Sequence, residues 1–274
     1  MKSCQCLLLV AVIGPCLVAV DARPQVVIGQ DGKDVVYLPT PPPLVEAMLD
    51  LARVTPQDYV VDLGSGDGRI VIAAAKRGAR SLGIEYDTNL VSMSEADAVR
   101  AGVNDRAAFV EADLFEVDFS QASVVTTFLL SEVMIRLRPR LLELAPGSRI
   151  VSNSFTMEEW TADETITLEN CTTWCTAHLW IVPARAAGRW RTPEGELTLQ
   201  QQFQMVSGSL VSRGVSTPVA TGRLRGDQIT FTVGPARYNG RVSGQLMEGT
   251  VTEAAGTRNW SAAKVTDNPV GPTR

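Results

Sequence analysis

Three carboxylates and one glycine run carry most of the chemistry this sequence offers. Residues 60–69 read VVDLGSGDGR, an apolar stretch closing on Asp62 and followed by Gly64, Ser65, Gly66 and Gly68. Glycine inside a regular element costs about 0.5–1 kcal/mol relative to alanine. Three at alternate positions mark a backbone that turns tightly or lies against something else. The spacing is G-x-G-x-G, which differs from the G-x-G-x-x-G of dinucleotide sites. An acid two residues before the first glycine would repel a pyrophosphate and suits a ligand with a cationic amino group. Both points disfavour a nicotinamide dehydrogenase. Glu85 closes the next apolar run, LGIEYD. A carboxylate there can accept from both hydroxyls of a ribose. Asp113, in EADLF, closes a third run and can accept from the amino group of an adenine. Singly, each acid reads as a polar cap at a strand end. Together they fit one adenosine that carries an amino acid.

The surrounding segments predict how these residues are held. TPPPLVEAMLDLARV reads as a helix with proline at its start and Leu44, Met48 and Leu51 on one face. DYVVDLG, RSLGIEYD, AAFVEAD, SVVTTFLL and SRIVSNSFTM read as strands. Between them lie the Ala-rich helix GRIVIAAAKRGA, the helix TNLVSMSEADAVRAGV opened by Asp87 or Thr88, and SEVMIRLRPRLLELAPG. The last is expected to break or kink before Pro139. This alternation predicts an α/β fold, a doubly wound and mostly parallel sheet that binds its ligand beyond the carboxyl ends of the strands. ADETITLEN and TAHLWIVPA follow without a helix and read as a hairpin, an antiparallel edge that completes seven strands.

The texture changes after Pro183. Short alternating runs broken by glycine replace helical periodicity, and GRLRGDQI at 222–229 is echoed by GRVSGQLM at 240–247. A small all-β domain, a meander or barrel over 184–266, is expected, with a disordered tail at 267–274. Trp190, Phe203, Phe231 and Trp260 are expected to fill its interior rather than line a cavity. The chain carries a net charge of −5, but residues 184–274 hold +5 and the remainder −10. That asymmetry suits two domains that attract each other or a grip on an acidic partner, and the overall balance gives no case for nucleic acid.

Residues 1–22 read as a secretory signal, with Lys2, an apolar run over 6–20 and small residues before a cut after Ala22. An uncleaved membrane tether is the alternative. The extended segment 23–41 then leads into a core domain at 42–183. A periplasmic or secreted location follows. Removing the signal leaves Cys171 and Cys175 of the five cysteines. On one continuous strand they stand about 13 Å apart and cannot bridge. Two free thiols are expected, with a disulfide only across a tight hairpin. Two cysteines and His178 are too few for a zinc site, so no metal is expected, and His178 reads as a packed strand residue.

Over roughly residues 40–183 this order resembles the class I S-adenosylmethionine-dependent methyltransferases, and VVDLGSGDGR is similar to their first motif. The resemblance implies that Asp62 and the turn of Gly64, Ser65, Gly66 and Gly68 hold the methionine end of S-adenosyl-L-methionine. It implies that Glu85 binds the ribose, that Tyr86 flanks the adenine, and that Asp113 with the Leu114 backbone reads the adenine edge. YLPTPPPLVEAML, DLGSGDGRIVIAAAKRGA and TTFLLSEVMIRLRPRLLELAPGSRIVS more closely resemble the small protein-lysine methyltransferases of the ATP synthase c subunit and their bacterial relatives. Two departures stand out. The mitochondrial enzymes lack the β domain, and FLLSEV occupies the place of the Asn-Pro-Pro-aromatic stretch common in amino-directed members.

The resemblance implies a protein-lysine N-methyltransferase that passes a methyl group in line to a neutral amine. The protein then mainly positions and desolvates the nucleophile. Thr40 and Ser131 are candidate pocket residues, and Glu132 could orient the incoming amine. Ser131 reads equally as a helix cap and Glu132 as a solvated first-turn acid. The expected partner is a methyl-acceptor protein or small molecule. The rival functions are a small-molecule methyltransferase and an exported, non-catalytic binder of the same cofactor.

Overall fold

The computed structural model describes residues 37–266. The expected signal at 1–22, the first part of the extended segment and the tail at 267–274 lie outside the described residues.

Seven strands form the first sheet: β1 (Tyr59–Leu63), β2 (Arg80–Glu85), β3 (Ala107–Glu111), β4 (Val124–Thr127), β5 (Arg149–Asn153), β6 (Glu164–Thr167) and β7 (Thr176–Ile181). Their order is β3-β2-β1-β4-β5-β7-β6. β1 to β5 are parallel, and β7 returns antiparallel beside β5 with β6 outside it. The central strands are apolar runs because both faces are covered. On one face α1 (Pro42–Leu51) and α2 (Arg69–Lys76) bury Leu44, Met48, Ile70 and Ala74 against Val60, Val124 and Val151. α3 (Thr88–Arg100) starts at Asp87, whose carboxylate accepts the Asn89 N–H at 2.9 Å.

α4 (Ser131–Leu141) corrects two expectations. Pro139 lies within the helix, which runs on to Leu141 without breaking. The proline forfeits the bond that an N–H at 139 would make to the Ile135 carbonyl, a single loss that the helix absorbs. Its N-cap is Leu130 with no side-chain capping bond, so Ser131 is the first helical residue and not a cap. At the opposite rim from the glycine run, Asp58 pins the starts of three strands. Its carboxylate accepts from the Thr55 N–H at 2.8 Å and the Ser123 hydroxyl at 2.7 Å, and pairs with Arg149. Burial alone would raise its pKa, but these hydrogen bonds and the arginine charge hold it below the usual value.

The cysteines also differ from expectation. Cys171 and Cys175 are joined in a disulfide, with Cα atoms 5.7 Å apart. They sit in the tight β6–β7 connection, where the Leu168 N–H donates to the Cys175 carbonyl at 2.9 Å, so the chain doubles back between them. His178 is a half-buried strand residue whose Nδ1 lies 2.9 Å from the Thr165 hydroxyl, and burial lowers its pKa.

The second half is a closed barrel of eight antiparallel strands: β8 (Gly188–Arg191), β9 (Glu196–Gln202), β10 (Met205–Ser212), β11 (Val215–Arg225), β12 (Gln228–Val233), β13 (Ala236–Ser243), β14 (Leu246–Glu253) and β15 (Gly256–Lys264). Closure comes where β15 meets β8, Lys264 opposite Trp190. The repeated GR-x-x-G units are strand ends leading into alternate hairpin corners, β11–β12 and β13–β14, with Gly226 and Gly244 both at positive φ. Phe231 and Tyr238 stack at 4.7 Å, each with an edge contact to Trp260, and these rings fill the interior with Trp190. Phe203 departs from expectation. It stands outside the barrel core on the β9–β10 turn and stacks on Trp160 of the sheet domain at 5.7 Å.

Sheet and barrel belong to one compact unit. Arg223 and Arg225 of β11 pair with Asp163 and Glu164, which begin the acidic domain's edge strand. The opposed domain charges read from the sequence meet here. Gln204 adds a 2.7 Å hydrogen bond to the Thr161 carbonyl.

Candidate active site at the carboxyl rim

Asp62 is the one charged residue inside β1 and is 2% exposed. It lies opposite Thr126 of β4, whose hydroxyl donates to its Oδ1 at 2.7 Å. Burial pushes its carboxyl up to about 7; the nearby charges of Glu85 and Asp67 add to the rise, and the Thr126 hydrogen bond opposes it. Such a group has a place for a cation and holds a proton easily without one.

The glycine turn completes that preference. The N–H groups of Gly64 and Ser65 both donate to the Ile84 carbonyl, at 2.9 and 3.0 Å. Gly66 donates to Glu85 Oε2 at 2.8 Å and Gly68 to the Ser65 carbonyl at 2.9 Å. All four donors are committed to the fold, so they do not form a phosphate cradle. What remains around Asp62 is acceptor chemistry, suited to an ammonium group. The glycines have distinct reasons. All three have positive φ, between 54° and 76°. A Cβ on Gly64 would lie 3.1 Å from Leu129, and one on Gly68 would strike the Phe109 ring at 2.6 Å. Gly68 therefore serves close packing of helix on strand, where its spacing in the sequence suggested ligand approach. The Ser65 side chain sits against Gly83 with its hydroxyl buried and unpartnered, so this residue shapes the turn.

Glu85 ends β2 half-buried. Its Oε2 takes the Gly66 N–H and its Oε1 takes those of Tyr86 and Asp87, at 2.8 and 3.0 Å. A carboxylate offers about four lone-pair positions, so this one has room for about one more donor. Capturing both hydroxyls of a ribose therefore displaces one backbone bond. Tyr86 is 64% exposed beside it. Asp113 stands two residues beyond β3, exposed, with Oδ1 taken by the Phe115 N–H at 2.8 Å. The Ala112 N–H donates to the Glu85 carbonyl at 3.0 Å, joining the second and third strand ends. The Leu114 carbonyl accepts from Arg140. Arg140 also reaches the Phe115 carbonyl at 2.6 Å and the Val117 carbonyl, while Arg136 lies over the Phe115 ring. α4 thus holds the loop after β3 by two side chains one turn apart.

Thr40 is 3% exposed over the same rim. Its hydroxyl accepts from Asn153 Nδ2 at 3.2 Å, and its carbonyl accepts from Arg69 at 2.7 Å. Arg69 is paired with Asp67 of the glycine turn at 2.5 Å. The segment before α1 is therefore tied to the end of β5 and to the turn. Ser131 and Glu132 open α4, half-buried and exposed respectively, and neither bonds to Thr40 or Asn153. Thr126, Asn153 and Arg140 escaped the sequence reading. A polar residue ending an apolar run, as in VSN, marked Asn153 in the same way that VVD marked Asp62.

The sequence model of the ANTKMT methyltransferase domain matches residues 62–164, from Asp62 to the start of β6. A protein-lysine N-methyltransferase of Saccharolobus islandicus is 41% identical over 149 residues, which is 53% of this chain and 92% of that protein. The chain belongs to the class I S-adenosylmethionine-dependent methyltransferases. The mouse lysine N-methyltransferase of the ATP synthase c subunit is 46% identical over 107 residues, 39% of this methyltransferase and 43% of the mouse protein. The chain thus spans less than half the length of that relative. A solved structure of an RNA methyltransferase from Salinibacter ruber, in complex with S-adenosyl-L-homocysteine, is 47% identical with a TM-score of 0.52. It covers 54% of this methyltransferase and 95% of the bacterial chain. Relatives whose length is almost filled by about half of this chain have no room for the barrel.

The rim fits the family's cofactor by its own donor set. A buried acid and N–H-depleted turn suit an amino acid ammonium, Glu85 suits a ribose hydroxyl, and the outer oxygen of Asp113 suits an amino group.

Proposed function

We propose that this methyltransferase acts on protein lysine, using S-adenosyl-L-methionine held by Asp62, Glu85, Tyr86, Asp113 and the Leu114 backbone. The observation that carries the choice of acceptor is the likeness across nine-tenths of a protein-lysine N-methyltransferase. When bound, the cofactor supplies an electrophilic methyl group on a sulfonium and leaves as a neutral thioether. This chain's residues do the remaining work. Asp62, ionised, neutralises the ammonium. The Arg69–Thr40–Asn153 linkage closes the rim between α1 and β5, excluding water from the acceptor's approach. Water exclusion favours the neutral form of an incoming amine, the form that attacks. Thr40, Ser131 and Glu132 are the proposed acceptor-side groups.

RNA is the second reading, favoured by the likeness to the Salinibacter RNA methyltransferase. The charge balance disfavours it, since residues outside 184–274 carry −10 and Arg223 and Arg225 are spent on the sheet domain. We also propose that the chain works in an exported compartment. The disulfide between Cys171 and Cys175 supports that reading, because such bonds persist in oxidising surroundings. An exported, non-catalytic binder is its natural rival, since the cofactor is made inside cells.

Labelled methyl transfer to whole-cell extract, followed by mass spectrometry of the product, tests these readings together. Label on lysine of a protein band supports the proposal. Label that disappears with ribonuclease supports RNA, label in a soluble small product supports a small-molecule enzyme, and binding without transfer leaves the binder.

A further inference from the structure

Three aromatic side chains meet at the carboxyl rim, and the cofactor site does not use them. Phe128 follows the last residue of β4, Phe155 lies two residues past β5, and Trp174 stands inside the disulfide ring of the β6–β7 connection. Their ring centroids are 5.4, 5.7 and 5.9 Å apart. The cluster adjoins the glycine turn by one peptide, because Leu129, next to Phe128, packs on Gly64. On its other flank Asn153, two residues before Phe155, bonds to Thr40. Trp174 keeps 38% of its surface exposed. Its φ of 56° is a left-handed conformation that bulky residues rarely adopt. The disulfide closing the ring Cys171–Cys175 around it restricts the backbone to such tight geometries.

Resting on the lysine reading above, we propose that Trp174, clamped by the Cys171–Cys175 disulfide, forms the outer wall of the acceptor subsite. The rings touch one another, so an alkylammonium does not enter between them. It lies across their outer faces, methylenes on the rings and nitrogen directed past Phe128 toward the Gly64 turn. Aromatic faces attract ammonium and its methylated forms and pack against the aliphatic stem.

The test uses the full chain containing 5-fluorotryptophan, with S-adenosyl-L-homocysteine present. The chain has five tryptophans, and the Trp174 fluorine resonance is assigned by its loss in Trp174→Phe. The probe is N-acetyl-trimethyllysine methylamide. The expected result is a saturable shift of the Trp174 resonance that weakens in Cys171→Ser/Cys175→Ser protein. In parallel, Trp174→Ala should raise the extract concentration giving half-maximal protein methylation about tenfold, the size a partly desolvated cation–π contact provides. Its affinity for S-adenosyl-L-homocysteine should match wild type, which also shows that the variant folds. An unmoved Trp174 resonance overturns the inference, as does unchanged concentration dependence in Trp174→Ala. If wild type methylates no protein, the lysine reading fails, and the fluorine titration alone decides whether the wall binds alkylammonium.

Discussion

Asp62 should make cofactor binding depend on pH in a way that no exposed carboxylate would. Burial and two neighbouring acids raise its carboxyl from 3.8 to about 7. A cofactor ammonium engages only the ionised form, so the apparent association constant scales with the ionised fraction. Between about pH 7.5 and about pH 5.5 that fraction falls roughly 25-fold, and the affinity for S-adenosyl-L-homocysteine should fall with it. The ligand amine stays mostly protonated throughout this window, since α-amino groups titrate at about 7.7–8.0 or above. Near pH 6.5, binding should release roughly three-quarters of a proton. Calorimetry in two buffers of different ionisation enthalpy measures both quantities. The same shift acts on stability with a definite sign. From pH 3.8 to about 7 the folded, cofactor-free protein holds a proton that the unfolded chain gives up. Stability from this group therefore falls as pH rises across that window, by up to about 4 kcal/mol at 1.36 kcal/mol per pH unit. Asp62→Asn should remove the stability slope, weaken binding and leave the residual affinity nearly independent of pH. A wild-type affinity that stays level across the window, or an Asp62→Asn protein with the wild-type profile, refutes the reasoning.

Three further outcomes follow from the geometry. Asp58→Ala leaves Arg149 without its carboxylate and should cost about 3 kcal/mol or more, read by denaturant unfolding; a loss below about 1 kcal/mol would contradict the pinning role. Gly68→Ala forces a Cβ against Phe109 at a positive φ and should cost about 2–4 kcal/mol, with part of the loss recovered by adding Phe109→Leu. Arg140→Met frees the carbonyls of Leu114, Phe115 and Val117, so the Kd for S-adenosyl-L-homocysteine should rise roughly fivefold to tenfold in calorimetry, the worth of about one net charged hydrogen bond, while the fold stays intact by circular dichroism.

Much of this arrangement was legible because parallel strands leave unbroken apolar runs, and a charge at the end of such a run is conspicuous. Asp62, Glu85 and Asp113 stood out for that reason. The barrel was visible through its glycine corners, whose echo at 222 and 240 is a pair of hairpin turns. What escaped depends on side chains reaching across the sheet. Nothing local says that Thr126 will face Asp62, because that is a matter of register between strands 64 residues apart. Pro139 misled because a proline removes one i→i−4 bond from a helix without having to end it. The spacing of Cys171 and Cys175 misled because distance along an extended strand was weighed more heavily than the reversal that brings them together. Phe203 was counted with the barrel interior although it sits on a turn, free to face another domain.

That outward ring has a consequence beyond this chain. Trp160 and Trp180 are completely buried, and Phe203 stacks on the first of them while the Trp180 indole donates to the Trp160 carbonyl. The barrel is thus a roof over a greasy shoulder of the catalytic domain. A shorter relative without such a roof must tolerate rain there. Its counterpart of Trp160 should be small or polar, or two copies should shelter one another by that shoulder.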